Sequence, residues 1–166
     1  QIIFQNLIII TLIVVLARVS YLLTANKADK LFPLYFPAGI AFYFLYRKNK
    51  WNLIGVVLGI FFESLWSLIE VYKIDFQSTM ITHFLITIAN AQTPLIAVLI
   101  IEKYSKQENI FGNLYNLSIF LIATLIACLF AGILGSIGLL ISRFTTLAEI
   151  PYNILVWSIS DWAAIL

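Results

Sequence analysis

Residues 117–142 read LSIFLIATLIACLFAGILGSIGLLIS, a run without a single charged side chain. A helix needs about 20 predominantly apolar residues to cross a hydrocarbon layer about 30 Å thick, so this run predicts a helix that spans a bilayer. The whole chain agrees, because 62% of its 166 residues are hydrophobic and 11% are charged. Soluble domains carry roughly half and roughly a quarter, respectively. The sequence therefore predicts an all-α integral membrane protein.

Five further apolar runs are separated from this one and from each other by short charged loops. They cover residues 2–24, 34–46, 52–69, 79–101 and 152–166. Together the runs predict a single transmembrane domain over residues 1–166, built as a bundle of about six helices. Gln1 at the start and an apolar run at the end lead us to expect that the chain is part of a longer protein.

The second run is too short to span, because at ~1.5 Å per residue it covers only about 20 Å. It begins with PLYFPAGIA at residues 33–41. Proline has no backbone N–H and pushes the residue before it towards extended geometry. We therefore expect residues 31–36 to be unwound and the helix to start near Pro37, where a proline is tolerated.

Orientation follows from the basic residues in the short loops. The densest cluster is Arg47, Lys48 and Lys50. Positively charged loops stay in the cytoplasm, so this loop predicts a cytoplasmic N-terminus in a multi-pass membrane protein. An even number of spans would return the C-terminus to the cytoplasm, where anything that follows residue 166 would lie.

Several classes of site are excluded by composition. The chain has one cysteine, Cys128, and one histidine, His83, which leaves no material for disulfides or for a His/Cys metal cluster. Its basic residues lie in loops rather than in one stripe, so no nucleic acid is expected as a partner. Neither a catalytic triad motif, a phosphate loop nor a zinc-binding motif occurs in the sequence. We expect no enzyme activity, no metal and no cofactor, and the lipid bilayer as the main partner.

Small residues mark two helices as packing faces. They are Gly55 and Gly59 in the third run, and Ala131, Gly132 and Gly135 in the fifth. Small side chains let helix backbones approach closely in a membrane. The faces favour packing within the chain, and a homodimer of the full-length protein is the alternative.

Ionisable and amide side chains inside the apolar runs are the candidate site. They are Arg18, Glu63, Asn90 and Asp161, and the predicted orientation places them between the midplane and the outer surface. Charged residues at this depth are costly and mark functional positions or pair with one another. We expect them to line a cavity that opens outwards, with Trp157 as part of its wall. The alternative is that Arg18 pairs with an acid only to neutralise it.

The start of the second helix adds backbone donors to this prediction. The first amides of a helix are unpaired and its N-terminus is positive, which suits an anion or an oxygen acceptor. Pro37, Ala38 and Gly39 are expected to border the cavity, with the amides of Ala38 and Gly39 binding a small polar or anionic ligand.

The order of these features resembles the first class of bacterial membrane-associated sensor domain, the MASE type. The resembling parts are LYFPAGIA at 34–41, the basic hairpin FYFLYRKNKW at 42–51, Asn90 in a long run that ends in IIEKY, and Trp157-x-x-Ser160-Asp161. Thr93 stands where members often have an acid, and Ser160 and Ala164 stand where they often have glycine.

The resemblance implies a sensory input module without enzyme activity. Such modules are joined at their cytoplasmic end to a histidine kinase or to an enzyme that makes or degrades cyclic di-GMP. Family domains usually have about eight spans, so this chain would be a truncated copy. Two other functions fit the residues: a substrate-binding membrane component of a transporter, and a scaffold or dimerisation domain that binds no ligand.

Overall fold

The computed structural model describes residues 2–24, 34–47, 49–67, 69, 76–105 and 110–166, with the side chains of the fourth helix described from Met80. These residues form six α-helices and no strand. The helices are α1 (Ile2–Thr24), α2 (Phe36–Arg47), α3 (Leu53–Trp66), α4 (Phe76–Tyr104), α5 (Leu114–Ile141) and α6 (Ile150–Ile165). Each lies within one of the predicted runs or extends it by a few residues, which confirms the all-α class.

The prediction of six membrane spans is confirmed in part. Three stretches of the described helices are long and apolar enough to cross a bilayer: Ile2–Leu23, Met80–Tyr104 and Leu114–Ile141. α2, α3 and α6 are shorter. α2 is the shortest of the six helices, as the sequence predicts for the run that follows the two prolines.

The helices contact one another in a closed order. α1 packs on α3, α3 on α4, α4 on α5, α5 on α6, α6 on α2, and α2 returns to α1. α2 also contacts α4 across the ring. The short helix therefore lies against α1, α4 and α6 at once, and it buries Pro37, Ala38, Ala41, Phe42 and Leu45.

Glycines lie where these helices approach most closely. A Cβ added at Gly55 would lie 2.5 Å from Asn6 Oδ1, and the Gly55 N–H donates to that same oxygen over 2.6 Å. Gly59 faces Ile13 of α1 at 3.0 Å by the same measure. The predicted small-residue face of α3 is thus in contact with α1 of the same chain. A larger residue at Gly55 or Gly59 would push the two backbones apart.

The small residues of α5 face two neighbours. A Cβ at Gly132 would lie 2.8 Å from the carbonyl oxygen of Ile154 in α6, and Ala131 is fully buried. Ser158 Oγ of α6 donates to the Cys128 carbonyl over 3.1 Å. On the α4 side, Thr82 Oγ1 donates to the Gly138 carbonyl over 3.0 Å. Close approach and direct hydrogen bonds therefore join α4, α5 and α6.

The chain enters α2 as the prolines predict. Residues 34 and 35 are not helical, and α2 begins at Phe36 with Pro37 in its first turn. The Phe36 N–H donates to Ser20 Oγ of α1 over 3.2 Å. The predicted start near Pro37 is confirmed for the described part of the segment, while residues 31–33 lie outside the described residues.

An exposed ion pair joins the loop between α2 and α3 to the end of α4. Lys50 Nζ, between α2 and α3, lies 2.7 Å from Glu102 Oε2 near the end of α4. An alternating path through the bilayer places these two loops on the same side, as the ion pair requires.

The end of α5 lies on the opposite side by the same path. Arg143, two residues beyond it, is in the left-handed region at φ 57°. There the Phe144 N–H donates to the Leu139 carbonyl.

Candidate functional site

Two buried carboxylates from different helices form the centre of the candidate site. Glu63 of α3 is 3% exposed and Asp161 of α6 is 1% exposed. Tyr35 connects the two, since it donates to Glu63 and belongs to a buried cluster that packs on Ala164, three residues after Asp161. Two acids that meet inside a membrane bundle are unusual, because a buried charge is costly unless something compensates it. The structure thus brings together the two acids that the sequence singles out.

Glu63 is held by hydroxyl groups. Tyr35 Oη donates to Glu63 Oε2 over 2.9 Å, and Ser67 Oγ donates to Glu63 Oε1 over 2.9 Å. Tyr35 belongs to the unwound segment before α2, so the proline-containing entry places this hydroxyl against α3. Both oxygens of this buried side chain therefore accept a hydrogen bond, as buried polar groups generally do.

Trp157 links the α6 side of the site to α4. It precedes Asp161 by four residues, which places both side chains on one face of α6. Its Nε1 donates to Asn90 Oδ1 over 3.1 Å. The indole fits because Gly135 of α5 has no side chain, since a Cβ there would lie 2.5 Å from the ring carbons Cζ3 and Cη2.

Asp161 differs from Glu63 in its hydrogen bonding. Its Oδ1 is buried and accepts no hydrogen bond from the described residues. No Lys, Arg or His of the described part of the chain forms an ion pair with Asp161 or Glu63. Asp161 Oδ1 is therefore a buried carboxyl oxygen without a hydrogen-bond donor among the described residues.

Pro94 removes one backbone hydrogen bond of α4, the one that the Asn90 carbonyl would otherwise accept. A helical N–H at position 94 would donate to the carbonyl four residues earlier, which is that of Asn90, and proline has no N–H to give. Thr93 Oγ1 donates to the Ala89 carbonyl over 3.0 Å in the same turn. The carbonyl oxygen of Asn90 thus lacks its usual helical donor beside the site.

These features coincide with a family match. The family model for MASE1 matches residues 5–166, nearly the whole chain. The chain belongs to the MASE1 family. It is a membrane-associated sensory domain, as the resemblance of its motifs predicts. Comparisons with curated proteins and with solved structures gave no match.

Arg18 is the site residue that the structure places elsewhere in the MASE1 domain. Its side chain is exposed on α1, and its Cζ lies 4.7 Å from the ring centroid of Trp66. The prediction that Arg18 converges with Glu63 and Asp161, whether as ligand or as counter-charge, is wrong. α1 is apolar on nearly every face, so the sequence gives no indication of which way position 18 points.

The amides at the start of α2 are also used differently from the prediction. The Ala38 N–H donates to the Tyr35 carbonyl over 3.1 Å, so this amide is already paired. Gly39 faces α6, because a Cβ there would overlap the carbonyl oxygen of Ala164. Pro37 is buried without a donor to offer. In the MASE1 domain these three residues position Tyr35 and α6, and the predicted Ala38 donor is not free.

Three contributors were not among the predicted site residues. They are Tyr35, Ser67 and Pro94. The signal for Pro94 was present, since a proline inside a long apolar run removes one helical hydrogen bond four residues before it. Ser67 lies four residues after Glu63, at the spacing where helical side chains meet.

A cavity of about 280 Å³ lies elsewhere in the domain, between α2 and the ends of α5 and α6. Phe42, Tyr46, Arg47, Phe120 and Ile165 are among its lining residues. It is separate from Glu63 and Asp161, and its lining is mostly apolar. The expectation of a polar cavity open to the outside stays a prediction.

Proposed function

We propose that this MASE1 domain is the sensory input module of a bacterial signalling protein and that it binds a small polar ligand at Glu63, Asn90, Trp157 and Asp161. The output domain beyond residue 166 would be a histidine kinase or an enzyme of cyclic di-GMP metabolism. Catalysis is assigned to that domain and not to the residues described above.

One observation carries the proposal: four separate elements meet at the two carboxylates. The segment before α2 contributes Tyr35, α3 contributes Glu63, α4 contributes Asn90, and α6 contributes Trp157 and Asp161. A ligand that binds there would favour one packing of these elements over another, which is the physical requirement for a conformational signal. α6 is the last of the described helices and would pass the change on towards the output domain.

The charge of the candidate site limits which ligands it can bind. The candidate site contains two acidic side chains, while Arg18 lies outside it and the Ala38 amide is paired. Like charges in a low-dielectric interior repel strongly. The sequence suggested a small polar or anionic ligand; we therefore propose an uncharged polar or a cationic one.

The membrane setting belongs to the same proposal. All six helices would lie in the bacterial inner membrane, with the N-terminus in the cytoplasm and the ligand arriving from outside. α2, α3 and α6 are short for spanning helices, but short helices are tolerated where the adjoining unwound chain is buried in protein. Tyr35 meets that condition, since it is 5% exposed. The full-length protein would act as a homodimer.

The test is Asp161→Asn in the full-length protein, with output activity and membrane insertion measured in parallel. The amide keeps the size of the side chain and removes its charge, so we expect altered output at unchanged insertion. Glu102→Gln is the matched control, because it neutralises a carboxylate whose side chain is 45% exposed and lies at the loop.

The outcomes separate the functions that the residues left open. Unchanged signalling in Asp161→Asn would make the residue structural and favour a scaffold. A full-length chain without an output domain, together with uptake of a solute that depends on Asp161, would favour a transport component.

A further inference from the structure

The cavity beside α2 has no role in the proposed function. It has a volume of about 280 Å³ and lies between α2, the chain just before α5, and the ends of α5 and α6. Three of its lining residues, Phe42, Ile110 and Phe120, are at most 7% exposed. Two others, Tyr43 and Phe111, are 47% and 73% exposed. The cavity is therefore a groove with a buried floor and an exposed rim on the surface of the helix bundle.

A row of four aromatic rings lines this groove. Tyr46 stacks on Phe42 with 5.6 Å between the ring centroids and 8° between the ring planes. Phe42 packs on Phe120 of α5 at 5.7 Å, and Phe120 packs on Phe111 at 6.0 Å. Aromatic pairs of this kind stabilise one another beyond the area that they bury. The groove is thus a preformed apolar surface that runs from α2 to α5.

One charged side chain borders the groove. Arg47 is the last residue of α2, it lines the groove, and it is exposed. The ion pair on this side of the bundle joins Lys50 to Glu102, so Arg47 has no acidic partner among the residues that the structure describes. The planar guanidinium of arginine matches the geometry of a phosphate group. The groove therefore combines an apolar lining with one positive end.

The position of Arg47 fits the boundary between a bilayer and water. Arg47 ends the apolar run of α2, and Tyr43 and Tyr46 lie within the turn before it. Tyrosine is enriched at this boundary, and basic pockets between membrane helices bind anionic lipid head groups there. An apolar groove that ends in a cation at this level has the shape and charge to bind an amphiphile with an acyl chain and a phosphate.

We propose that the groove binds one anionic phospholipid, with its phosphate at the Arg47 guanidinium and part of one acyl chain against Phe42, Phe111 and Phe120. Sites for drug-sized ligands have about 300–1,000 Å³, so the groove holds only part of a lipid and the rest stays in the bilayer. Net charge selects the lipid, because a zwitterionic head group also brings a cation towards Arg47. This inference is independent of the sensory site at Glu63 and Asp161.

The experiment uses the full-length protein, purified in detergent and freed of lipid. It is titrated with phosphatidylglycerol or with phosphatidylcholine that has the same acyl chains. Native mass spectrometry counts the lipids bound per chain, and thermal unfolding is recorded in parallel. We expect the first phosphatidylglycerol to bind about fivefold more tightly than phosphatidylcholine, the value of one basic residue near an anionic membrane surface. The melting temperature should be higher with phosphatidylglycerol, since a ligand that binds only the folded state stabilises it.

Two variants separate the charge from the groove, and a third is the control. Arg47→Gln should weaken phosphatidylglycerol binding about fivefold and leave phosphatidylcholine binding unchanged. Ile165→Trp fills the groove from the end of α6 and keeps Arg47, so it should weaken the binding of both lipids. Lys103→Gln removes a cation from the last turn of α4, outside the groove, and should bind both lipids like the parent.

The proposal is overturned if the parent binds the two lipids equally, since the lipid would then be an ordinary neighbour in the bilayer. It is also overturned if Arg47→Gln and Lys103→Gln weaken binding by the same factor, because general attraction to basic residues would explain both. If a folded Ile165→Trp protein binds both lipids like the parent, the groove is not the site. Phosphatidylglycerol on monomers but not on dimers would assign the groove to a second copy of the chain.

The two proposals fail separately. Arg47→Gln, Ile165→Trp and Lys103→Gln leave Glu63 and Asp161 in place, so a negative result with these variants does not bear on the sensory site. Unchanged output in Asp161→Asn would remove the sensory assignment and leave the lipid groove as proposed.

Discussion

Trp157 reaches from α6 to α4, where its Nε1 donates to Asn90 Oδ1 over 3.1 Å. The two residues are far apart in the chain, and this contact fixes the position of α6 relative to α4. Because Asp161 lies one turn after Trp157, the same contact also sets where the buried carboxylate points.

Trp157→Phe should loosen this link while it keeps a ring beside Gly135. The variant loses one hydrogen bond, which is worth about 0.5–1.5 kcal/mol in general and ~0.6 kcal/mol on average between membrane helices. Unfolding in detergent micelles measures the change. Trp162→Phe is the matched control, since Trp162 Nε1 donates to Thr124 Oγ1 of α5 over 3.0 Å. We expect the two variants to lose similar amounts of stability and only Trp157→Phe to change the output. If both variants change the output equally, the assignment of Asn90 to the site is contradicted.

Tyr35→Phe should destabilise the bundle by about 1–3 kcal/mol, the range for leaving a buried acceptor without its donor. The change removes the donor to Glu63 Oε2 and leaves the ring in place. Chemical unfolding of the purified domain measures the loss. Tyr43→Phe removes the same hydroxyl from a side chain that is 47% exposed, and it should be nearly neutral. If both variants lose the same stability, the Tyr35–Glu63 bond contributes little.

The glycines predict a graded series of alanine variants. Gly39→Ala places a methyl group against the backbone carbonyl of Ala164, which cannot move aside, and overpacking of this kind costs about 1–3 kcal/mol. Gly138→Ala should cost less, because its nearest neighbour is the Leu85 side chain at 3.2 Å. Gly112→Ala, at an exposed position, is the control. Melting temperatures that do not follow this order would show that α2 and α6 tolerate separation.

Arg143→Gly should stabilise the end of α5. Arg143 has φ 57°, a conformation that glycine adopts readily and other residues adopt at a cost. We expect a gain of up to about 1 kcal/mol in the free energy of unfolding. Arg143→Ala removes the same charge without relieving the backbone, so it should bring no gain. A gain in both variants would point to the charge as the cause.

Cysteine labelling tests the predicted orientation. Cys128 is fully buried and should resist a membrane-impermeant maleimide until the protein is denatured. In a Cys128→Ala background, Lys50→Cys should react only when the reagent reaches the cytoplasmic side. Leu147→Cys, at a position that is 75% exposed before α6, should react in intact spheroplasts. The reverse pattern would invert the topology and place the ligand's route on the cytoplasmic side.

The sequence predicts the helices well because each apolar run is bounded by polar residues. The start of α5 shows the limit: the helix begins at Leu114, before the run itself, because the Asn113 side chain accepts from the Asn116 N–H and caps it. The unwound entry to α2 was predictable for a local reason, since proline constrains its own neighbours.

The site was only partly predictable. Glu63 and Asp161 are visible in the sequence as acids within apolar runs, and they do meet. Their hydroxyl and amide partners depend on the order in which the helices pack, and helices that are apolar on all sides do not reveal that order. The same lack of a polar face explains the wrong placement of Arg18.

Gly39 and Ala164 meet backbone to backbone, with no side chain between them. Side chains can change rotamer and absorb small displacements, whereas two main chains in contact transmit them undiminished. The final turn of α6 therefore behaves as a stiff coupling: it cannot advance towards α2 without shifting the whole short helix, together with the Tyr35 segment in front of it. The end of α6 is thus mechanically connected to the segment that holds Tyr35 against Glu63, by a contact that one methyl group would disturb.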